Sequence, residues 1–190
     1  MTAAILEGLA VILALAYLLL AARENLWCWT CAFVSSALYV FIFWDARLLM
    51  EAWLNVFYVA MAVFGWYQWK RGGKGHAGVK IVSMRGWQHG ALFALMLLLA
   101  FTNGWAMQTW TTAAWPFVDS FLAWSSVITT FLVVRKVLEN WLYWIVIDGL
   151  ALFVYIERGL YMTALLFALY LVIVVFGYLK WRQEYRAYSA

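Results

Sequence analysis

Four carboxylates stand where water is scarce in this chain. Glu7, Glu51, Asp119 and Asp148 all fall inside long apolar runs, and no Lys or Arg lies comparably deep in the sequence. Placing a charge at the centre of a bilayer costs roughly 2.5–3.5 kcal/mol on insertion scales, so such residues face a cavity or a partner. An electronegative cavity suits a cation, or protons. Glu7, Glu51 and Asp119 lie close to span ends and are within reach of the interface. Asp148 lies eight residues beyond Asn140, about 12 Å along a helix and near mid-membrane.

Asn140, Trp144 and Asp148 recur at i, i+4 and i+8, with Trp141 beside them, so an amide, an indole and a carboxylate share one helix face. Indole rings can sandwich a flat cation while a carboxylate fixes its charge. Glu51, Asn55 and Tyr58 share a face of the third apolar run, and the fifth offers Asp119, Ser120, Trp124, Ser125, Ser126 and Thr129. Some of these hydroxyls are expected to bond only their own helix backbone. Trp69, Trp87 and Trp181, at span ends, read as interface anchors.

Other chemistries lack parts. The sequence contains no G-x-x-x-x-G-K-[ST], H-E-x-x-H or G-x-S-x-G, and His76 and His89 are isolated. Cys28 and Cys31 form a C-x-x-C without the βαβ pattern of a redox site or the further ligands of a zinc site, and read as small helix residues. No cofactor or metal is expected. An aspartyl pair, Asp119 with Asp148, could in principle share a proton for hydrolysis. That intramembrane enzyme is the competing class, and a proton-coupled carrier titrating Asp148 is a third reading.

The elements that must position these residues are membrane helices. Of 190 residues, 68% are hydrophobic and 12% charged, far from a soluble domain. Runs of about twenty residues, enough to cross the hydrocarbon, fall near 3–22, 26–44, 48–69, 87–105, 116–134, 140–156 and 159–179. Met1 to Leu20 lacks the basic opening of a secretory signal and reads as a retained first span. The glycine-rich stretch from Lys70 to Gln88 reads as a flexible loop. With the N-terminus outside, eleven of the thirteen Lys and Arg fall in inner segments and only Arg47 and Arg158 in outer loops. This predicts the N-terminus out and the C-terminus in. It also accounts for the net charge of +4 without a nucleic-acid partner.

A repeat is visible. Phe64-Gly65-Trp66-Tyr67-Gln68-Trp69-Lys70 matches Phe176-Gly177-Tyr178-Leu179-Lys180-Trp181-Arg182, and Asp45, Leu48 and Met50 match Glu157, Leu160 and Met162 at the same spacing. After a small gap, Glu24-Asn25 aligns with Glu139-Asn140. The expected fold is all-α and integral to the membrane: seven transmembrane helices as two parallel three-helix repeats joined by a linking helix (3+1+3). The units are 1–69, the basic loop and linking helix 70–115, and 116–190. Parallel repeats around a central pathway are a transporter architecture, with substrate near the midplane.

The stretch from Arg135 to Asp148, with Trp141-x-x-Trp144 and an acidic residue four positions on, resembles the signature helix of the PnuC-type vitamin transporters. Phe64-Gly65-Trp66-Tyr67-Gln68-Trp69 is similar to that family's G-W-Y-x-W ending on span three, and Trp115-Pro116-Phe117-Val118-Asp119-Ser120 to its start of span five. The resemblance implies a homotrimer and facilitated diffusion of a B vitamin across a bacterial cytoplasmic membrane, trapped by a cytoplasmic vitamin kinase. It implies that Trp141, Trp144 and Asp148 hold the substrate, with help from Asn55 and the polar face of span five. Carriers of nicotinamide riboside often have Gln at position 55 and Asn at position 148. The departures here favour thiamine, with nicotinamide riboside as the alternative and riboflavin behind it.

Overall fold

The computed structural model describes residues 2–45, 49–111 and 114–189. Among these residues seven α-helices follow one another: α1 Thr2–Ala22, α2 Cys28–Asp45, α3 Leu49–Arg71, α4 Gly86–Trp110, α5 Pro116–Val134, α6 Asn140–Glu157 and α7 Tyr161–Ser189. Each begins and ends within a few residues of an expected span, except that α4 runs five residues further and α7 ten. Among the described residues six are long and apolar enough to cross a membrane by composition alone; α3 carries the polar residues Glu51, Asn55 and Gln68. Large apolar side chains such as Phe41, Trp110 and Phe176 are exposed around the outside, as a lipid-facing surface requires. Arg47 and Leu48 lie outside the described residues, as does the side chain of Met50.

The packing is that of two three-helix units and a separate helix. Contacts run α1–α2–α3 and α5–α6–α7, and the units meet through α3 against α5 and α7 against α1. Six helices thus close a ring, and α4 packs outside it on α5. The chain is an all-α membrane protein of the 3+1+3 type.

The repeat is more regular than the sequence match suggests. A constant spacing of 112 residues, that from Trp69 to Trp181, relates the two halves, with no gap before α2. Glu24 therefore corresponds to Lys136, not to Glu139. Both have left-handed backbone, φ 52° and 50°. The turns close identically: Asn25 N–H donates to Leu20 O at 2.9 Å, and Val137 N–H to Leu132 O at 2.9 Å. These are helix C-terminal caps built without glycine.

Trp69 and Trp181 are not interface anchors. Both are buried, and each bonds the opposite unit: Trp69 Nε1 donates to Val133 O at 3.3 Å and Trp181 Nε1 to Ala21 O at 3.1 Å. The acceptors are themselves repeat equivalents. Trp69 meets Trp29 edge-on at 5.3 Å, Trp181 meets Trp141 edge-on at 5.3 Å, and the two pairs touch at 5.9 Å. A buried indole at a span end faces protein because the neighbouring helix supplies a carbonyl and an aromatic edge that lipid cannot. Trp87, by contrast, is exposed.

Small residues permit this closeness. A Cβ at Gly65 would lie 2.5 Å from the Trp29 ring, and one at Gly177 2.6 Å from the Trp141 ring.

The 70–88 segment is tied down rather than free. Val82 N–H donates to Lys136 O at 3.0 Å and Leu138 N–H to Val82 O at 2.8 Å. Ser83 Oγ donates to the Glu139 carboxylate, which also accepts from Met84 N–H at 3.2 Å. Gly78 has φ 87°, and a side chain there would strike the Trp69 carbonyl.

Gly65→Ala and Gly177→Ala should each destabilise the protein by about 1–3 kcal/mol through overpacking against a stiff ring. Thermal unfolding in detergent checks this; the two losses should be alike because the sites are equivalent.

Candidate functional site

A cavity of about 320 Å³ lies inside the six-helix ring. It extends from Ala21, Trp29, Val133 and Trp141 to Ala14, Ser36, Asp148 and Phe167. Along α1 this spans seven residues, about 10 Å of depth. The end where α1, α3, α5 and α7 finish carries Arg23, Lys70, Arg71, Arg135, Lys136, Lys180, Arg182 and Arg186, and is called the basic end below. At that end the packed tryptophans form the cavity floor.

The walls come in repeat-related pairs. Trp29 answers Trp141, Ala32 answers Trp144, Ser35 answers Ile147, Ser36 answers Asp148 and Tyr58 answers Tyr170. The pairs differ most at Ala32 and Ser36, small and hydroxylic, against Trp144 and Asp148, aromatic and acidic. The asymmetry lets a nearly symmetric ring bind an asymmetric molecule in one orientation.

Asp148 is the acidic residue of this lining, and no Lys or Arg joins it among the described residues. It is 4% exposed. One turn closer to the basic end, Trp144 shares its face, followed by Asn140 and Trp141. Asn140 is fully buried; its Nδ2 donates to Val137 O at 2.6 Å, while its Oδ1 has no partner. The indole N–H groups of Trp29 and Trp141 are also buried and unpartnered. An unmade bond at a buried polar group costs about 1–3 kcal/mol. Here one acceptor and two donors belong to residues lining the same cavity, so a ligand with complementary groups can satisfy them.

Of the residues singled out from sequence, Asn140, Trp141, Trp144, Asp148, Tyr58 and Ser126 line the cavity. Five do not. Glu51 is exposed in the first turn of α3, and Asn55 Nδ2 donates to its carbonyl at 2.9 Å. Asn55's repeat equivalent, Phe167, lines the cavity instead. Asp119 is taken by Arg158, whose Nη2 lies 2.9 and 3.0 Å from its two carboxylate oxygens at the far end of the bundle. Trp124 is absent from the lining, and Ser125 faces a lateral groove between α4, α5 and α6. Glu7 is exposed. The separation of Asp119 from the cavity leaves Asp148 without a second carboxylate for aspartyl chemistry.

Sequence reasoning missed Trp29, Tyr17, Ser35, Ser36 and Tyr170 in the lining. Their signal was the repeat itself: Trp29 and Ser36 stand at the positions of Trp141 and Asp148 shifted by one period.

The sequence pattern described as nicotinamide mononucleotide transporter matches residues 4–183. The chain belongs to this family. Among its relatives are the riboflavin/roseoflavin transporter RibM of Streptomyces davaonensis, 25% identical over 173 residues covering 90% of this chain and 81% of RibM. Another is the nicotinamide riboside transporter PnuC of Escherichia coli, 24% identical over 201 aligned positions covering 93% of this chain and 84% of PnuC. The crystal structure of the vitamin B3 transporter PnuC superposes with a TM-score of 0.74 at 19% identity, covering 94% of this chain and 80% of that one, and shares the fold. This member of the family is a multi-pass membrane transporter of the PnuC type and not an enzyme.

Ser125→Ala and Asp119→Asn should leave vitamin uptake within about twofold of the parent, since one hydroxyl and one partly exposed ion pair off the cavity contribute about 1 kcal/mol or less each. Initial rates in proteoliposomes check this.

Proposed function

We propose that this transporter carries a flat cationic B vitamin, thiamine before nicotinamide riboside. The observation that carries the reading is Asp148, a buried carboxylate facing an aromatic cavity with no basic side chain among the described residues that line it. A cation entering the cavity supplies the missing countercharge, and the Trp144 ring supplies a face for it. A carboxylate only accepts hydrogen bonds. That suits the amine of an aminopyrimidine better than a carboxamide, which offers a donor and an acceptor together and matches an asparagine. Riboflavin is neutral and leaves Asp148 unmatched. Asn55 bonds its own helix, so the preference rests on position 148. Nicotinamide riboside is kept as the second reading because the PnuC relatives carry that name and because it too is a cation.

Transport proceeds by rocking of the units 1–69 and 116–190 around the fixed cavity, with 70–115 as the link. The family resemblance and the lack of a nucleotide-binding loop in the sequence support passive, facilitated diffusion, with the vitamin trapped inside by a cytoplasmic kinase. The distribution of Lys and Arg supports an outward N-terminus and an inward basic end in a bacterial cytoplasmic membrane. The resemblance supports a homotrimer. The other proposed binding residues are Trp141, Trp144, Asn140 and Tyr58.

Competition calorimetry with thiamine, nicotinamide riboside and riboflavin tests the substrate. Thiamine should bind tightest, and Asp148→Asn should weaken it by about 1–3 kcal/mol, roughly 5- to 150-fold. Unchanged thiamine affinity in Asp148→Asn, or nicotinamide riboside displacing thiamine, would overturn the choice.

A further inference from the structure

The basic end closes on a charged cluster that vitamin binding does not use. Lys136 Nζ lies 2.7 Å from Glu24 Oε2, and the two side chains are only 10% and 15% exposed. The two residues are repeat equivalents, so the ion pair crosses between the units near their pseudo-symmetry axis. Lys136 also sits 4.5 Å over the ring of Trp69, directly on the tryptophan floor. From α7, Glu184 hydrogen-bonds the Glu24 carboxylate, and Lys180 adds positive charge nearby.

Two features mark this cluster as a moving part. Both Glu24 and Lys136 hold left-handed backbone, which costs a non-glycine residue about 1–2 kcal/mol. Such geometry persists where surroundings impose it and concentrates at switch regions. The cluster also joins α1, α5 and α7, the elements that must separate if the units part at this end. A solute leaving the cavity through the basic end has to pass the floor that Lys136 and Trp69 hold together.

We propose that Glu24 and Lys136 are the latch of a gate at the basic end, and that a proton shared between Glu24 and Glu184 sets how readily it opens. A hydrogen bond between two carboxyl groups requires one proton between them. Burial works against ionisation of Glu24, but its hydrogen bonds with Glu184 and Lys136 and the Lys136 charge outweigh burial and hold its carboxyl below the usual carboxylate range. Glu24 is therefore the ionised member and Glu184 the donor. Raising the pH removes the Glu184 proton, sets two carboxylates side by side and loosens α7 from the latch. Strong acid instead protonates Glu24 and ends its pairing with Lys136, because the contribution of a depressed acid is lost as pH falls through its pKa. The latch is tightest in mild acid. The mechanism rests on the protein being a transporter and holds whichever vitamin it carries.

Cys28 is a native reporter, since it is fully buried in the same packed cluster as Trp29 and Trp69. In a Cys31→Ser background it is the one remaining thiol of the chain's two cysteines. Labelling with a bulky maleimide is followed in nanodiscs. Lys136→Met should accelerate labelling about tenfold or more, since it strands Glu24 without its countercharge. The exchange Glu24→Lys with Lys136→Glu should restore slow labelling, because the positions are equivalent and share one backbone conformation. Glu184→Gln keeps a donor that cannot ionise. The wild-type rate divided by the Glu184→Gln rate should rise from near one at about pH 5 to about fivefold or more at about pH 8, a ratio that cancels the thiol's own titration. Wild-type labelling in Lys136→Met, fast labelling in the exchange variant, or a pH-independent ratio would each overturn the latch. Should Lys136→Met not fold, the exchange and Glu184→Gln variants decide.

Discussion

The reciprocal tryptophan brace is the interaction on which the rest of this structure depends. Lipid gives no hydrophobic reward for helix association, so two three-helix units stay together only through close packing and hydrogen bonds across their seam. Trp69 and Trp181 supply both. Each ring reaches from its own unit to a backbone carbonyl of the other, and each packs on an indole that a glycine has let approach. The arrangement closes one end of the ring while leaving hollow the stretch beyond it. Because the brace is the same in both halves, the cavity it floors lies on the axis between them.

Within that near-symmetric frame, the cavity lining differs where symmetry fails. Asp148 replaces the hydroxyl of Ser36, and Trp144 replaces the methyl of Ala32. At these two positions an acidic, aromatic surface answers a small and hydroxylic one. In the proposed mechanism gating draws on what the two units share and selectivity on what they do not. The ion pair of Glu24 with Lys136 is a third case: equivalent positions with opposite charges, which attract across the axis where identical ones would repel.

Much of this was legible in the residues. Span positions follow from the length of apolar runs, and the 3+1+3 order from the match of 64–70 with 176–182 separated by one extra crossing. The face of Asn140, Trp144 and Asp148 followed from helical spacing, and the structure turns that face into the cavity. Three things stayed hidden for physical reasons. Opposite charges at Glu24 and Lys136 disguised their equivalence, so the similar Glu139-Asn140 drew the alignment three residues out of register. Composition at a span end does not say whether an indole faces lipid or a neighbouring helix, and Trp69 and Trp181 face the neighbour. Helical periodicity also places residues on a face without saying which face turns inward. Asn55, Glu51, Asp119, Trp124 and Ser125 had polar or aromatic side chains suited to a site, yet α3 and α5 turn other residues to the cavity.

In the proposed binding mode a flat cation is held between the two units, its charge against the buried carboxylate and its ring among the indoles. A structure determined with thiamine bound tests it most directly. The thiazolium should lie within about 6 Å of the Trp144 ring, the distance over which an aromatic face holds a cation, or in contact with Asp148. The aminopyrimidine should lie near Asn140 and the indole N–H groups of Trp29 and Trp141. Thiamine lodged instead in the lateral groove beside α4, with Asp148 untouched, would contradict it.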